Sequence, residues 1–162
     1  MSIQVLALIS CTKKKADRRC SARELYSASP FFRKALSVVE AVSDKVYVLS
    51  AKHGLVDLSD HLSPYEKTLV GASRKIQKEW SEKVYESLKR TRAYREAGTI
   101  LWVAGMDYRR YLSEMFREDG KRSVIPLKGL SQGLQGARLK KLQGMAESRL
   151  KTELIRSRSK ST

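Results

Sequence analysis

The sequence has few of the features that mark secreted, disulfide-bonded or membrane-spanning proteins. Its two cysteines, Cys11 and Cys20, are too few for a disulfide scaffold or a four-cysteine zinc module. No apolar run approaches the ~20 residues that a bilayer-spanning helix needs. The apolar segment 3–9 has no positive charge ahead of it, which predicts a buried strand rather than a secretory signal. We therefore predict a cytoplasmic protein with no membrane partner.

Cofactor and metal signatures are also missing. The chain has neither the Gly-x4-Gly-Lys-Ser/Thr spacing of a phosphate-binding loop nor the Gly-x-Gly-x-x-Gly fingerprint of dinucleotide binding. The spacing of Cys11, Cys20, His53 and His61 matches no common zinc pattern. The sequence therefore predicts no cofactor and no metal.

Positive charge is the feature present in excess. The chain has 33 Lys and Arg against 17 Asp and Glu, a formal charge of +16, and residues 138–162 alone hold 8 basic and 2 acidic residues. Because like charges repel in a compact fold, such a surplus favours a polyanionic partner, with nucleic acid the leading candidate. The alternatives are a charged surface typical of thermophiles and a device for solubility. Charge does not distinguish DNA from RNA.

Apolar runs alternate with amphipathic segments, which predicts an α/β fold. Strands are predicted at about residues 4–9, 45–50, 99–104 and 123–127, and the first is too continuously apolar for an exposed face. This gives a mainly parallel sheet of about four strands with helices on both faces. We predict a single domain over residues 1–155 and a disordered basic tail over residues 156–162.

The helices between these strands are predicted from spacing and capping residues. Pro30 begins a second helix within the amphipathic segment 21–42. Residues 72–95 form one long helix whose buried stripe is Ile76, Trp80, Val84 and Leu88. Asp107 caps a helix that begins at Tyr108, and the last helix ends near Ile155.

Polar residues follow three of the predicted strands. The groups are Ser10, Cys11, Thr12, Lys13, Lys14 and Lys15 after the first strand, Ser50 to Gly54 after the second, and Gly105 to Tyr108 after the third. Ligands of parallel sheets bind beyond the carboxyl ends of the strands. We therefore expect these groups to meet in one site.

Several of these residues have a chemical role and a structural alternative. The basic group could hold a phosphate through backbone N–H groups and ammonium charge, or be a solvated loop. Cys11 could be a nucleophile or a small buried side chain. His53 could act as a general acid or base, or satisfy its own loop, while Lys52 could neutralise an oxyanion or remain a surface cation. Tyr65 could stack on a base or anchor its loop.

The order of these motifs resembles an uncharacterised prokaryotic domain family. The matching segments are Ile9 to Lys15, Ala22 to Phe31, Leu49 to Leu55, Pro64 to Leu69 and Pro126 to Leu130, with the pattern S-C-x-K-K, L-Y-x-A-S, L-S-A-K-H-G-L and P-Y-x-x-T-L. More distantly the chain resembles YaaA-type peroxide-stress-resistance proteins, which are associated with DNA binding, and uracil-DNA-glycosylase-like domains. It departs from the YaaA type in being shorter and in having Lys52-His53 where those proteins have uncharged residues. The resemblance implies a nucleic-acid or nucleobase context and no particular reaction.

Three functions compete on this evidence. The first is a nucleic-acid-binding protein that hydrolyses an N-glycosidic bond, the second a non-catalytic DNA-binding stress protein, and the third a small-molecule nucleotide or nucleoside hydrolase. A positive charge of +16 favours the first two. Asp57 and Asp107 are the candidates for activating water. The candidate catalytic residues are His53 and Lys52, and the candidate substrate-binding residues are Ser10, Cys11, Thr12, Lys13, Lys14, Tyr26, Ser50, Gly54, Pro64, Tyr65, Thr68, Gly105 and Tyr108.

Overall fold

The computed structural model describes residues 2–156 and has the predicted α/β architecture. In chain order the elements are β1 (Val5–Ser10), β2 (Cys20–Ser21), α1 (Ala22–Tyr26), α2 (Pro30–Val42), β3 (Lys45–Ser50), β4 (Gly54–Asp57), β5 (His61–Leu62), α3 (Arg74–Lys89), α4 (Arg92–Glu96), β6 (Thr99–Val103), α5 (Met106–Glu118), β7 (Arg122–Val124), α6 (Gln132–Gln143) and α7 (Glu147–Lys151). A π-helical turn, Thr152–Arg156, follows α7.

The main sheet is centred on β1. Its strand order is β4-β3-β1-β6-β7, and β1, β3, β6 and β7 are parallel while β4 runs antiparallel to β3. Both edges of β1 are therefore hydrogen-bonded to parallel neighbours. The predicted mainly parallel sheet is confirmed.

Helices cover both faces of this sheet. Val5, Ala7 and Ile9 pack in a core shared with α1, α2 and α6. The intervening Leu6 and Leu8 pack in a second core shared with α3, α4 and α5. Because successive strand side chains point to opposite faces, a continuously apolar strand needs cover on both sides.

The main sheet has one strand, β4, beyond the four that were predicted. Ser50 pairs with Gly54, so the intervening segment 51–53 is a tight three-residue hairpin turn. Gly54 has a φ of +71°, a conformation in which residues with a Cβ are strained. The glycine marks a turn as expected, but the chain continues from it as an edge strand.

The helix predictions are partly right. Pro30 is the first residue of α2, and the Ser29 side chain accepts a hydrogen bond from the Phe32 N–H. The predicted helix over 72–95 is instead two helices, because Thr91 caps α4 by accepting from the Tyr94 N–H at 3.1 Å.

The predicted stripe of α3 is wrong at its first position. Ile76 is 51% exposed, whereas Trp80, Val84 and Leu88 are buried. Gln77 and Ser81 are buried beside them, since Gln77 bonds the Leu69 carbonyl and Ser81 bonds the Gln77 carbonyl. These hydrogen bonds allow the polar Gln77 and Ser81 to be buried on α3, whereas the apolar Ile76 lies on its exposed side.

Three boundaries also need correction. Helix α5 begins at Met106 with Gly105 at its N-cap, so Asp107 lies in the first turn rather than at the cap. Strand β7 ends before Pro126, which has no N–H to donate to a ladder. The predicted last helix is interrupted between α6 and α7.

Two remaining predictions concern the membrane and the tail. Within residues 2–156, no helix is both long and apolar enough to cross a bilayer. Of the predicted disordered tail, Arg156 ends the π-helical turn and residues 157–162 lie outside the described part of the chain.

The corrected packing of α3 can be tested with two apolar truncations in the same helix. Leu88→Ala removes a side chain with 0% exposure and should lower the free energy of unfolding by about 2–5 kcal/mol. Ile76→Ala should change it by less than about 0.5 kcal/mol, because that side chain is already exposed. Urea denaturation measures both, and equal losses would contradict the observed orientation of α3.

Candidate functional site

The sheet contains a topological switch point between β1 and β6. From β1 the chain passes through α2 to β3 on one side, and it later crosses to β6 on the other side of β1. Helices α2 and α5 pack on opposite faces, so the loops after β1 and β6 diverge at the carboxyl edge. In open α/β sheets this crevice is where ligands bind.

A cavity of about 630 Å³ opens at this point, and we call it the large cavity. Its lining residues are Ser10, Cys11, Thr12, Lys13, Lys15, Glu66, Lys67, Thr68, Val70, Gly105, Asp107 and Tyr108. The predicted groups after β1 and β6 thus meet here, together with Thr68. Glu66 and Lys67 were not among the candidate residues, although they lie inside the P-Y-x-x-T-L motif that supplied Pro64 and Tyr65.

Cys11 and Tyr108 form one wall of the large cavity. The Cys11 Sγ lies 3.4 Å from the Tyr108 Oη, which also accepts a hydrogen bond from the Leu69 N–H at 3.3 Å. Burial raises the pKa of Tyr108, and Cys11 adds to the effect. Tyr108 is only 5% exposed and its ring packs edge-on against Trp80, so it offers a hydroxyl rather than a stacking face.

The three lysines after β1 point in different directions. Lys15 folds back, donating from Nζ to the Thr12 carbonyl at 2.6 Å and lying 4.4 Å from the centre of the Tyr65 ring. Burial lowers the pKa of Lys15. Lys13 and Lys14 are exposed, and of these two only Lys13 lines the large cavity. Lys15 therefore shapes the loop, whereas Lys13 is available to a ligand.

Three buried hydroxyl groups hold the turn after β3. The Tyr65 Oη lies 2.6 Å from the Tyr26 Oη and 2.7 Å from the Ser50 Oγ, which accepts from the His53 N–H at 2.9 Å. Burial raises the pKa of both tyrosines, which keeps the phenols protonated. Tyr65 is 8% exposed, so the structural alternative applies and the base-stacking prediction is wrong.

His53 and Lys52 lie outside the large cavity. Both are exposed, and the His53 ring contacts Tyr65 edge-on at 5.2 Å between ring centres. Burial, with a smaller contribution from Lys52, lowers the pKa of His53, so its imidazole is neutral at pH 7. Among the described residues no ring nitrogen of His53 is hydrogen-bonded and no carboxylate orients it. Exposed Pro64 and the Gly54 turn adjoin the same surface.

The two acids proposed to activate water are in different places. Asp57 accepts from Lys45 at 2.6 Å near the amino end of β3, away from the site. Asp107 lines the large cavity, and its carboxylate accepts from the Gln77 Nε2 at 2.9 Å. Within residues 2–156, no group of three or more His, Cys, Asp and Glu side chains is arranged to hold a metal.

A family model matches most of the chain. The family is DUF6884, described as a family of unknown function, and the match covers residues 6–141. The chain belongs to this family. Comparison with curated proteins and with solved structures gave no match. The resemblance to an uncharacterised domain family is thus confirmed, and the further resemblances to YaaA-type proteins and uracil-DNA-glycosylase-like domains receive no support.

The DUF6884 match contains every residue that lines the large cavity. It begins at Leu6 in β1 and ends within α6, so it includes the carboxyl ends of β1, β3 and β6. It also includes Tyr26, Ser50 and Tyr65. The switch point and the hydroxyl cluster are therefore both inside the part of the chain that defines its DUF6884 membership.

The hydroxyl cluster can be tested by removing one oxygen atom. Tyr65→Phe removes the hydrogen bonds from Tyr65 to the buried Tyr26 and Ser50 hydroxyls, and should lower the free energy of unfolding by about 1–3 kcal/mol. Tyr47→Phe is the matched control, because the Tyr47 hydroxyl makes no hydrogen bond among the described residues. Chemical denaturation of both variants gives the comparison. Equal stabilities would show that the cluster does not hold the turn.

Proposed function

We propose that the chain binds nucleic acid along the carboxyl edge of its sheet, with one phosphate-bearing unit of the strand in the large cavity. The observation that carries this proposal is a pair of lysines without ion-pair partners at the switch point. Lys13 and Lys67 line the large cavity, and neither forms an ion pair with a described carboxylate. Cations held this way at a crevice are suited to phosphate oxygens.

A second cavity at the opposite end of the sheet provides a comparison. It has a volume of about 460 Å³ and is lined by residues that include Arg23, Glu40, Lys45 and Asp57. Its cations are neutralised: Arg23 pairs with Glu40 at 2.7 Å and Lys45 with Asp57 at 2.6 Å. The cations of this amino-end cavity are thus paired, whereas Lys13 and Lys67 in the large cavity are not, which supports the carboxyl edge as the anion-binding side.

The extent of the positive surface favours a polymer over a free nucleotide. The large cavity, at about 630 Å³, falls within the roughly 300–1,000 Å³ typical of small-molecule sites and is large enough for a nucleotide. Lys14 and Lys52 are exposed outside it on the same edge. A mononucleotide would not reach them, whereas the backbone of a strand would. The neutral His53 beside Lys52 is available to donate or accept one hydrogen bond from that strand.

Hydrolysis of an N-glycosidic bond stays a prediction within this proposal. Activation of water needs a carboxylate or another base at the bound nucleotide. Glu66 and Asp107 are the acidic side chains that line the large cavity, and they replace Asp57 as candidates. His53 lies outside the cavity, so any part it plays would be at the adjoining strand.

The proposal is tested by the salt dependence of binding to a short single-stranded oligonucleotide. The double variant Lys13→Gln, Lys67→Gln should bind more weakly than wild type. Its log–log salt slope should be shallower by about 1.4, because each lost phosphate contact to a single strand removes about 0.7. Fluorescence anisotropy across a salt series measures affinity and slope together.

The matched control removes the same charge elsewhere. Lys83 and Arg90 are exposed on α3 and at its C-cap, and neither forms an ion pair among the described residues. The double variant Lys83→Gln, Arg90→Gln should retain most of the affinity. An equal loss in both variants would contradict a localised site, and the absence of binding to wild type at low salt would contradict nucleic-acid binding itself.

A further inference from the structure

A smaller cavity of about 260 Å³ adjoins the large one. Its lining residues are Ser10, Phe31, Trp102, Val103, Ala104, Gly105, Met106, Arg109, Ile125, Leu127, Lys128, Gly129 and Gln135. Ser10 and Gly105 line both cavities, so the two are neighbours at the switch point. The walls of the smaller cavity are polar and apolar in similar measure, and no acidic side chain is among its lining residues.

Arg109 is the unusual residue of this cavity. It is only 9% exposed, and its Nε donates to the Ala104 carbonyl at 2.7 Å. Within residues 2–156 its two terminal nitrogens have no hydrogen-bond partner, and no carboxylate pairs with the guanidinium. Burial alone lowers the pKa of Arg109, with no opposing acidic group.

A largely buried guanidinium with no anionic partner is unusual in a folded protein. Buried charges are ordinarily paired, because removing an ion from water costs several kcal/mol that an unpaired group does not recover. Every buried side-chain nitrogen or oxygen with no access to the surface has a partner in the described structure. The free nitrogens of Arg109 therefore keep some access to the surface, and Arg109 is one of the residues that line the smaller cavity.

Two long helices begin beside the same cavity. Gly105 is the N-cap of the 13-residue α5, and Ser131 is the N-cap of the 12-residue α6, which follows lining residues Lys128 and Gly129. Neither helix has a side chain capping its first turn. Their positive ends add to the charge of Arg109 and Lys128. The combined field favours an oxyanion.

We propose that Arg109 binds the phosphoryl group of a nucleotide unit in the smaller cavity. At about 260 Å³ the cavity is below the size typical of a whole small molecule, roughly 300–1,000 Å³, and suits a single group. The guanidinium presents a planar fork that matches phosphate oxygens. Since Ser10 and Gly105 are shared with the large cavity, one ligand can occupy both, with its nucleoside in the large cavity. That the phosphoryl group belongs to a nucleotide rests on the proposed function, whereas the phosphoryl site itself does not.

Inorganic phosphate is the direct probe of this site. Thermal melts are recorded with increasing phosphate while sodium chloride holds the ionic strength constant. Phosphate should raise the melting temperature of wild type, because a ligand that binds only the folded state stabilises it. The same rise is expected for Arg117→Met, which removes an exposed arginine from the same helix. Arg109→Met should show no phosphate-dependent rise.

A purely structural role for Arg109 gives a different result. Arg109→Met would then have a lower melting temperature in every buffer, but phosphate would raise that temperature as much as it does for Arg117→Met. That outcome would overturn the proposal. If Arg109→Met does not fold, Arg109→Lys replaces it. Loss of the fork should then weaken phosphate binding about 10- to 100-fold, the contribution of one charge-assisted hydrogen bond. An unchanged phosphate affinity in Arg109→Lys, or no response of wild type to phosphate, would also overturn it.

Two further ligands distinguish the possible sources of the phosphoryl group. The first comparison is between a 5′-phosphorylated oligonucleotide and its 5′-hydroxyl counterpart. Tighter binding of the phosphorylated form to wild type, with no such difference for Arg109→Met, supports a strand terminus as the ligand. If only a nucleoside monophosphate raises the melting temperature of wild type, and the oligonucleotides do not bind, the ligand is a free nucleotide at the same phosphoryl site. In that second case the polymer-binding proposal fails while the Arg109 site stands.

Discussion

The position of β1 between two parallel neighbours is the constraint on which the rest of the structure depends. Because β3 and β6 run in the same direction as β1, their carboxyl ends must lie at one edge of the sheet. The continuous apolar character of β1 requires helices on both faces, so the chain winds in opposite directions from its two sides. The divergence of the loops after β1 and β6 follows directly. Both cavities at this edge, and the sharing of Ser10 and Gly105 between them, result from that divergence.

The distribution of ion pairs gives this edge its chemical character. In the cavity at the amino end of the sheet, Arg23 is paired with Glu40 and Lys45 with Asp57, each within 3 Å. At the carboxyl edge Lys13, Lys67 and Arg109 have no such partners among the described residues. Unpaired charge lowers stability, especially when it is buried as Arg109 is. An anionic ligand bound at the carboxyl edge would compensate the charge of these three residues.

The sequence predicted the framework of the fold but not the interior of the site. Continuous apolar runs were sufficient to predict the central strands β1 and β6, which are buried on both faces. The edge strand after Gly54 escaped prediction because it is short and its pairing depends on a tight turn. Tyr65 was assigned to ligand binding because its motif does not reveal that its hydroxyl is buried against Ser50. Arg109 was not predicted because it is one of two adjacent arginines in a highly charged helix, and only tertiary packing distinguishes the buried one from its neighbour Arg110.

The central claim is that the carboxyl edge, rather than the basic surface as a whole, holds nucleic acid. Its most direct test is a map of backbone amide chemical shifts during titration of the protein with a short single-stranded oligonucleotide at low salt. The account predicts that the largest changes occur at residues lining the two cavities of the carboxyl edge, including Thr12, Lys13, Thr68 and Arg109. The residues of the amino-end cavity, such as Lys45 and Ser59, provide the internal reference and should change little. Changes spread evenly over the surface, or concentrated at the amino end, would contradict the account.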